Sequence, residues 1–590
     1  MEIVRDKKPR IKGQLRRTQL ITSMGPGAIV DLKNASVIMA GIESWENAEN
    51  LEELKINNIR LQKLLGKDYF LMPPFQKDKV KGAFSSYDIE AYRFPKWYYC
   101  ERCRKLASYT EFLPYKGKLV CGDCNKIEVI PSRFVVACTK GHISDFPYRE
   151  WVHRGPTDCN QKLRIVDTGS TGELKSIVIK CECDMRRDMG QTFSRNTFNI
   201  KCNGDSPWLG DRHDLCAEKL VTLQRSSSSV YFPITVSSIL IPPWSRDITV
   251  EIEKYYEDNK EEYEGEEDEL IERLTKRILR KYPISREEAK NQIEAVLAEK
   301  NREELTYNEL IEDEYRALKM EADDGDFITQ EEEVPEFINE YISKIMLVKK
   351  MTETIVEVGF KRIEPEYDLS DSSTYEKLSS KMNQKWLPGV NQKGEGIFIE
   401  FNEDKIKEWE SKPEIIKRYN SIIMRKEEGY LKGLKKAITP RTILLHTISH
   451  AIIRQLTFEC GYSSTSLKER IYTTFEDGLI DMAGILIYTT SSDSDGSLGG
   501  LVKQGRTKNL GKILEKTLEN MAWCSTDPLC IEKEQSGYKN LNLAACHACT
   551  LLPETSCELR NVLLDRVAIR GKLDNTEIGF FKEFYKNEER

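Results

Sequence analysis

The 590-residue chain has no run of 18 consecutive apolar residues. A helix needs about 20 such residues to cross a bilayer, so no transmembrane helix is expected. Behind the basic start "MEIVRDKKPRIKGQLRR" there is no apolar stretch of the kind a secretory signal carries, and the expected location is the cytoplasm. A general excess of positive charge is missing as well. The net charge of −7 argues against a nucleic-acid coat, while leaving room for a local basic surface. Histidine is scarce, with six in the chain.

The two nearest approaches to catalytic motifs are incomplete. "GLVKQGRT", Gly500 to Thr507, follows a strand pattern and precedes a helical one, as a phosphate loop does. Arg506 stands where the phosphate-reaching lysine belongs, so ATP hydrolysis is not expected, although an anion at that helix N-terminus stays open. "HTISH" puts His446 and His450 one helical turn apart, but Thr447 replaces the general-base glutamate of the HExxH pattern. A buried structural pair is the preferred reading there.

What the chain has is cysteine. Of its sixteen cysteines, fifteen are clustered at 100–124, 138–159, 181–216 and 524–557, and Cys460 stands alone. In a reducing compartment such clusters point to zinc rather than disulfides. "CERC" and "CGDC" supply Cys100, Cys103, Cys121 and Cys124, two knuckles with 17 residues between them. Each knuckle aims two sulfurs at one point, and an intervening hairpin brings the pairs together. The stretch "ACTKGHISDFPYREWVHRGPTDC" offers Cys138, His142, His153 and Cys159 as a second four-ligand set. A structural histidine pair, or a Cys138 nucleophile with a histidine base, are the alternatives. Cys181, Cys183, Cys202 and Cys216 form a third candidate set. Near the C-terminus Cys524, Cys530, Cys546, Cys549 and Cys557 compete for four places. Cys546 and Cys549 make the knuckle, Cys557 joins it, and the choice between Cys524 and Cys530 is open. Three to four zinc ions are expected.

The expected fold is α+β and multidomain. Residues 1–90 read as a basic segment with a short helical start, a tight turn at "GPG" and a strand; 91–250 as zinc-ribbon-like modules; 251–340 as a charged helical insert. Within the insert Leu270, Leu274 and Ile278 keep helical spacing, Ser285 is a cap candidate, and "DDGDFITQEEEVPEF" reads as a mobile acidic loop. Residues 341–570 read as an α/β domain built on the apolar helix "RTILLHTISHAIIRQL" and ending in the cysteine-rich zinc site, with 571–590 as a tail.

Six stretches, "RRTQLITSMGPGAIVDL", "ACTKGHISDFPYREWVH", "SSVYFPITVSSILIP", "HTISHAII", "DMAGILIYTTSSDSDGSLGGLV" and "ACHACTLLPETSCELRN", together resemble the DrmB family of the bacterial anti-phage system DISARM. The likeness runs from about Arg16 to Asp565, and its C-terminal part is also similar to the domain of unknown function fused to Mrf-type repair helicases. The resemblance implies a non-catalytic partner of a separate superfamily 2 helicase, DrmA, the pair binding DNA. Arg10, Lys12, Arg16, Arg17 and Arg506 are the candidates for phosphate contact. The competing function is a metal-dependent hydrolase or nuclease using the histidines or the Cys138 set.

Overall fold

The computed structural model describes residues 13–33, 35–48, 50–75, 89–169, 173–194, 200–210, 213–245, 247–261, 267–302, 304–381, 384–425, 436–475, 478–491, 499–572 and 574–588. The fold mixes helices and sheets. Its contacts divide the chain into two compact units with interleaved segments, where the sequence reading drew five consecutive ones. The first takes residues 1–56, 67–236 and 355–390; the second takes 57–66, 237–354 and 391–590. Among the described residues no helix is long and apolar enough to cross a membrane.

The first unit is built from short strands. A six-stranded sheet runs in the order Ile130–Pro131, Trp97–Tyr99, Lys105–Ser108, Leu163–Asp167, Ile177–Cys181, Arg186–Asp188. Phe134–Ala137 lies between Ile143–Asp145 and Val221–Gln224 in a second sheet. Strands this short bury little area, so the aromatic cluster of Trp45, Phe94, Trp208, Phe360 and Trp386 supplies much of the core. Residues 17–24 form turns rather than the helical start expected. The "GPG" turn does make a close approach. Gly27 has φ +86°, and a Cβ there would stand 2.4 Å from the Phe360 ring. The carbonyl of Gly27 accepts from the buried Arg362 guanidinium at 2.8 Å. Arg362 also donates to the carbonyls of Gly141 (2.8 Å) and Val230 (2.5 Å), tying three loops with one side chain.

In the second unit the charged insert folds as four helices, Asp247–Asn259, Glu267–Lys281, Arg286–Asn301 and Tyr307–Leu318. Leu270, Leu274 and Ile278 pack with Ile252, Ile293 and Val296. Ser285 caps as expected, its hydroxyl accepting the Glu288 amide at 3.1 Å. The acidic loop is a correction. Ala322–Asp324 and Phe327–Glu332 form a hairpin on the strand Ile342–Lys361, turning at Gly325 with φ +63°. Phe327 and Thr329 alternate inward at 0% and 5% exposure, which a count of acidic residues conceals. The tail is a second correction. Phe580, Phe581 and Tyr585 are buried, and the Phe581 ring lies 4.9 Å from that of Tyr341.

The helix Pro440–Cys460 is the spine of this unit. Thr439 caps it, Pro440 occupies the first turn, and Gly461 with φ +71° ends it. It is buried nearly all round, which fits the recurrence of Ile and Leu on several of its faces, and the buried His446, Thr447, Ser449 and His450 interrupt them. Beside it Leu467–Thr473 and Ala483–Ser491 form an antiparallel pair.

Candidate metal centres

The described residues contain five groups of four side chains whose donor atoms all lie within 4.8 Å of one another. A tetrahedral zinc ion, with about 2.3 Å to sulfur and 2.0 Å to nitrogen, sets donor–donor edges of about 3.8 Å for S···S and 3.5 Å for N···S. The groups can be tested against those lengths.

The first group is Cys100, Cys103, Cys121 and Cys124, as the spacing predicts. Cys100 and Cys103 sit at the tip between Trp97–Tyr99 and Lys105–Ser108, where Arg104 turns with φ +63°. Cys121 ends Lys118–Cys121, and Asn125 and Lys126 follow with positive φ. Cys103 Sγ and Cys121 Sγ are 3.7 Å apart.

The second and third groups correct the grouping. Cys138 and His142 lie with Cys202 and Cys216, not with His153 and Cys159. His153 and Cys159 lie with Cys181 and Cys183. In the second group Cys138 Sγ is 3.5 Å from His142 Nδ1, the tetrahedral N···S edge. Hydrogen bonding from Cys202, helped by His142, pulls the Cys138 thiol down to about 4. Gly141, with φ +90°, lets the chain reverse between Cys138 and His142. In the third group His153 closes the helix Tyr148–His153. Its Nδ1 meets the Arg149 carbonyl at 2.7 Å, leaving Nε2 3.3 Å from Cys183 Sγ. Cys159 and Cys181 sulfurs are 3.7 Å apart. The backbone amide of Met185 is the largest of the influences that lower the Cys183 thiol to about 6. A Cys138–histidine nucleophile loses ground here, because the sulfur faces two further cysteines rather than open space.

The fourth group takes both Cys524 and Cys530 with Cys546 and Cys549. The S···S distances are 3.5 Å for 524–546, 3.7 Å for 530–549 and 3.6 Å for 546–549. Asp527 holds the first loop, accepting the Cys524 amide at 2.8 Å and pairing with buried Arg566. Hydrogen bonding from Cys530 lowers the Cys549 thiol to about 5. Cys557 is displaced from this set, a further correction. It lies beside His446, with Sγ 3.2 Å from Nε2, in a fifth group with His450 and Glu469. Nothing in the sequence reading singled out Glu469; the i, i+4 histidines were the signal that could have prompted a search for it.

A family described as the MrfA Zn-binding domain matches residues 448–550, and a Domain of unknown function, DUF8724, matches residues 16–232. The DISARM protein DrmB of Bacillus paralicheniformis is 33% identical over 580 residues, covering 94% of this chain and all of the relative. The chain belongs to the DrmB family of DISARM proteins. It is a zinc-binding member, with cysteine-rich clusters toward both ends.

The phosphate-loop likeness dissolves in the structure. Gly500–Gln504 is itself a short helix, and its N-terminal amides are already taken. Glu395 accepts from Gly499 (2.6 Å), Leu501 (2.9 Å) and Val502 (3.4 Å). Glu332 likewise accepts the Thr507 amide at 3.1 Å and pairs with Arg506 at 2.8 Å. The anion expected at these helix starts is thus the protein's own carboxylate, and the charge of Arg506 is matched within the unit. Arg10 and Lys12 lie outside the described residues. Arg16 is exposed, while Arg17 is half-buried over the Phe75 ring at 4.3 Å.

Proposed function

We propose that this DISARM subunit is a non-catalytic, four-zinc accessory protein that docks on a superfamily 2 helicase and adds phosphate contacts to the DNA path of the complex. The observation that carries the reading is that four donor groups, three of them rich in buried cysteine, are each complete with protein ligands. A closed tetrahedral site has no position left for water or substrate, which is how structural zinc differs from catalytic zinc. In this reading Cys100, Cys103, Cys121 and Cys124 hold one ion. Cys138, His142, Cys202 and Cys216 hold the second; His153, Cys159, Cys181 and Cys183 the third; Cys524, Cys530, Cys546 and Cys549 the fourth. Zinc here replaces the core that strands of two to five residues cannot supply. Family membership in DISARM supports a place in a defence complex, and the helicase and the DNA are the partners that the resemblance implies.

Of the candidate phosphate ligands, Arg16 is favoured over Arg506, because its side chain is exposed whereas Arg506 is spent on Glu332. The deciding experiment is co-expression of the chain with the helicase from its own operon, followed by purification and DNA-affinity measurement across a salt series. A stable complex that binds DNA more tightly than the helicase alone is expected. Separate elution of the two proteins, or metal-dependent nuclease activity in this chain alone, would overturn the reading.

A further inference from the structure

The fifth donor group belongs neither to a cysteine cluster nor to a motif the function uses. His446 and His450 project from one face of the helix Pro440–Cys460, Glu469 comes from the neighbouring strand Leu467–Thr473, and Cys557 from the loop that follows the fourth group. All four are buried, at 0%, 0%, 4% and 7% exposure.

Hydrogen bonding fixes what these groups present to one another. His446 Nδ1 faces the Leu563 carbonyl at 3.3 Å, and His450 Nδ1 faces the Thr550 carbonyl at 2.7 Å. A carbonyl only accepts, so each Nδ1 carries a proton, and each neutral ring turns a bare Nε2 lone pair inward. Both Nε2 atoms stand 3.2 Å from the same oxygen, Glu469 Oε1. His446 Nε2 is also 3.2 Å from Cys557 Sγ. Two imidazole lone pairs, a carboxylate oxygen and a sulfur therefore converge on one point.

A single protonated ring would balance the carboxylate but leave the other ring's Nε2 lone pair facing the same Oε1 at 3.2 Å with no proton between them. Protonating both rings would place two imidazolium ions with centroids 4.4 Å apart in the interior against one carboxylate. Unpaired charge in a buried site is costly. A divalent ion instead balances one carboxylate and one thiolate to zero, with both rings neutral. The N···O edges agree with this, while the His446 Nε2 to Cys557 Sγ separation of 3.2 Å is shorter than the tetrahedral N···S edge of about 3.5 Å. Tetrahedral bonds of about 2.0 Å to nitrogen and oxygen give N···O separations of about 3.3 Å, against the 3.2 Å found twice. The surroundings are those of oriented ligands. Ser449 donates its hydroxyl to the other Glu469 oxygen, the Glu558 amide donates to Oε1 at 3.1 Å, and the Asn561 amide donates to Cys557 Sγ at 3.1 Å.

We propose that His446, His450, Glu469 and Cys557 form a fifth, buried metal site that holds one Zn2+ through two imidazoles, a carboxylate and a thiolate. The site shares no donor with the fourth cysteine group, and it straddles the edges of the matched zinc domain, 448–550, with His450 and Glu469 inside and His446 and Cys557 outside. Four protein donors close the coordination shell, and the hydroxyl of Thr447 is bonded to the Ile443 carbonyl at 2.6 Å rather than to a water-activating position. The ion is therefore a staple. It ties the spine helix to the strand beside it and to residues 557–563, which lie about 110 residues further along the chain.

The test uses the full-length chain purified without chelators. Anomalous difference maps from wild-type crystals, collected on both sides of the zinc edge, locate each ion without any mutation. A peak between His446, His450, Glu469 and Cys557 is the expected result. Density there with no zinc-edge signal, or no density while the cysteine groups are occupied, would overturn the proposal, and neither result touches the four-zinc reading. Elemental analysis provides the second arm. His450→Gln and Cys557→Ser should each lower zinc from five to four per chain, with the Cys524 group still occupied. Unchanged zinc content in both variants would equally sink the site.

Discussion

Removing the carboxylate of Glu395 is expected to unlatch the short helix Gly500–Gln504. The side chain is 2% exposed and serves the amides of Gly499, Leu501 and Val502, which have no carbonyl partner at a helix start. A hydrogen bond to a charged acceptor contributes about 1.5–3 kcal/mol. The Val502 bond, at 3.4 Å, is long, so two effective bonds are counted. Glu395→Ala should then lower the local opening free energy by about 3–6 kcal/mol, which at 1.36 kcal/mol per decade is roughly a 10²- to 10⁴-fold acceleration of amide exchange. Glu395→Gln keeps an acceptor oxygen and loses the charge, so about tenfold is expected. Hydrogen exchange read by mass spectrometry on a peptide spanning 499–505 measures this directly, with the helix Pro440–Cys460 as internal control. Exchange in Glu395→Ala within threefold of wild type would refute the reasoning, because it would mean that those amides were never held by the carboxylate.

Other consequences follow from the same contacts. Cys138→Ser should lose one zinc equivalent and most of its solubility; a soluble, zinc-replete variant would remove Cys138 from the ligand set. Glu314→Gln leaves the buried Arg470 guanidinium without its bidentate partner at 2.7 and 2.9 Å and should cost about 3–5 kcal/mol, read as a lowered denaturation midpoint. Burial raises Asp145 from 3.8 to about 6. The folded state then keeps a proton that the unfolded state gives up, so the stability that this group contributes at low pH is lost as pH rises through 6. The urea midpoint of wild type relative to Asp145→Asn should fall between pH 5 and 7 by the equivalent of about 1 kcal/mol, and a flat difference would count against it. Arg16→Ala/Arg17→Ala should lower the salt slope of DNA binding by the helicase complex by about one to two units; superimposable slopes would exclude the N-terminal arginines.

Legibility tracked distance along the chain. Cys100, Cys103, Cys121 and Cys124 could be grouped from spacing because each knuckle is a local turn and one short hairpin lies between them. The spine helix was legible over Arg441–Leu456 from its apolar run, and the structure extends it to Pro440–Cys460, with Thr439 and Gly461 at its ends. The hairpin at 322–332 and the packed C-terminus were misread for a compositional reason. Acidic residues and chain ends suggested solvent, although Phe327, Phe580 and Phe581 carried the contrary signal. Glu395 and Glu332, which take the place of an external anion, are more than 100 residues from the amides they bind, and no local pattern announces them.

The metal groups show the limit most sharply. Cys138 and His142 close on Cys202 and Cys216, and His153, Cys159, Cys181 and Cys183 are nested inside that loop. Spacing along the chain groups neighbours in order, as though the shortest loop must win. Loop entropy does not enforce that. Closing about 60 residues rather than about 11 costs only about 1.5 kcal/mol more by the (3/2)RT ln n rule, while a structural zinc site is worth about 10 kcal/mol or more. The pairing is decided instead by which sheet each ligand leaves. Cys138 follows Phe134–Ala137, whose partner strand is Val221–Gln224, so the chain just before that partner, carrying Cys216, returns to the same edge. Cys181 ends Ile177–Cys181, which pairs with Leu163–Asp167 just beyond Cys159. Strand pairing places these ligands side by side, and reading those neighbours requires the sheet register rather than the spacing of cysteines.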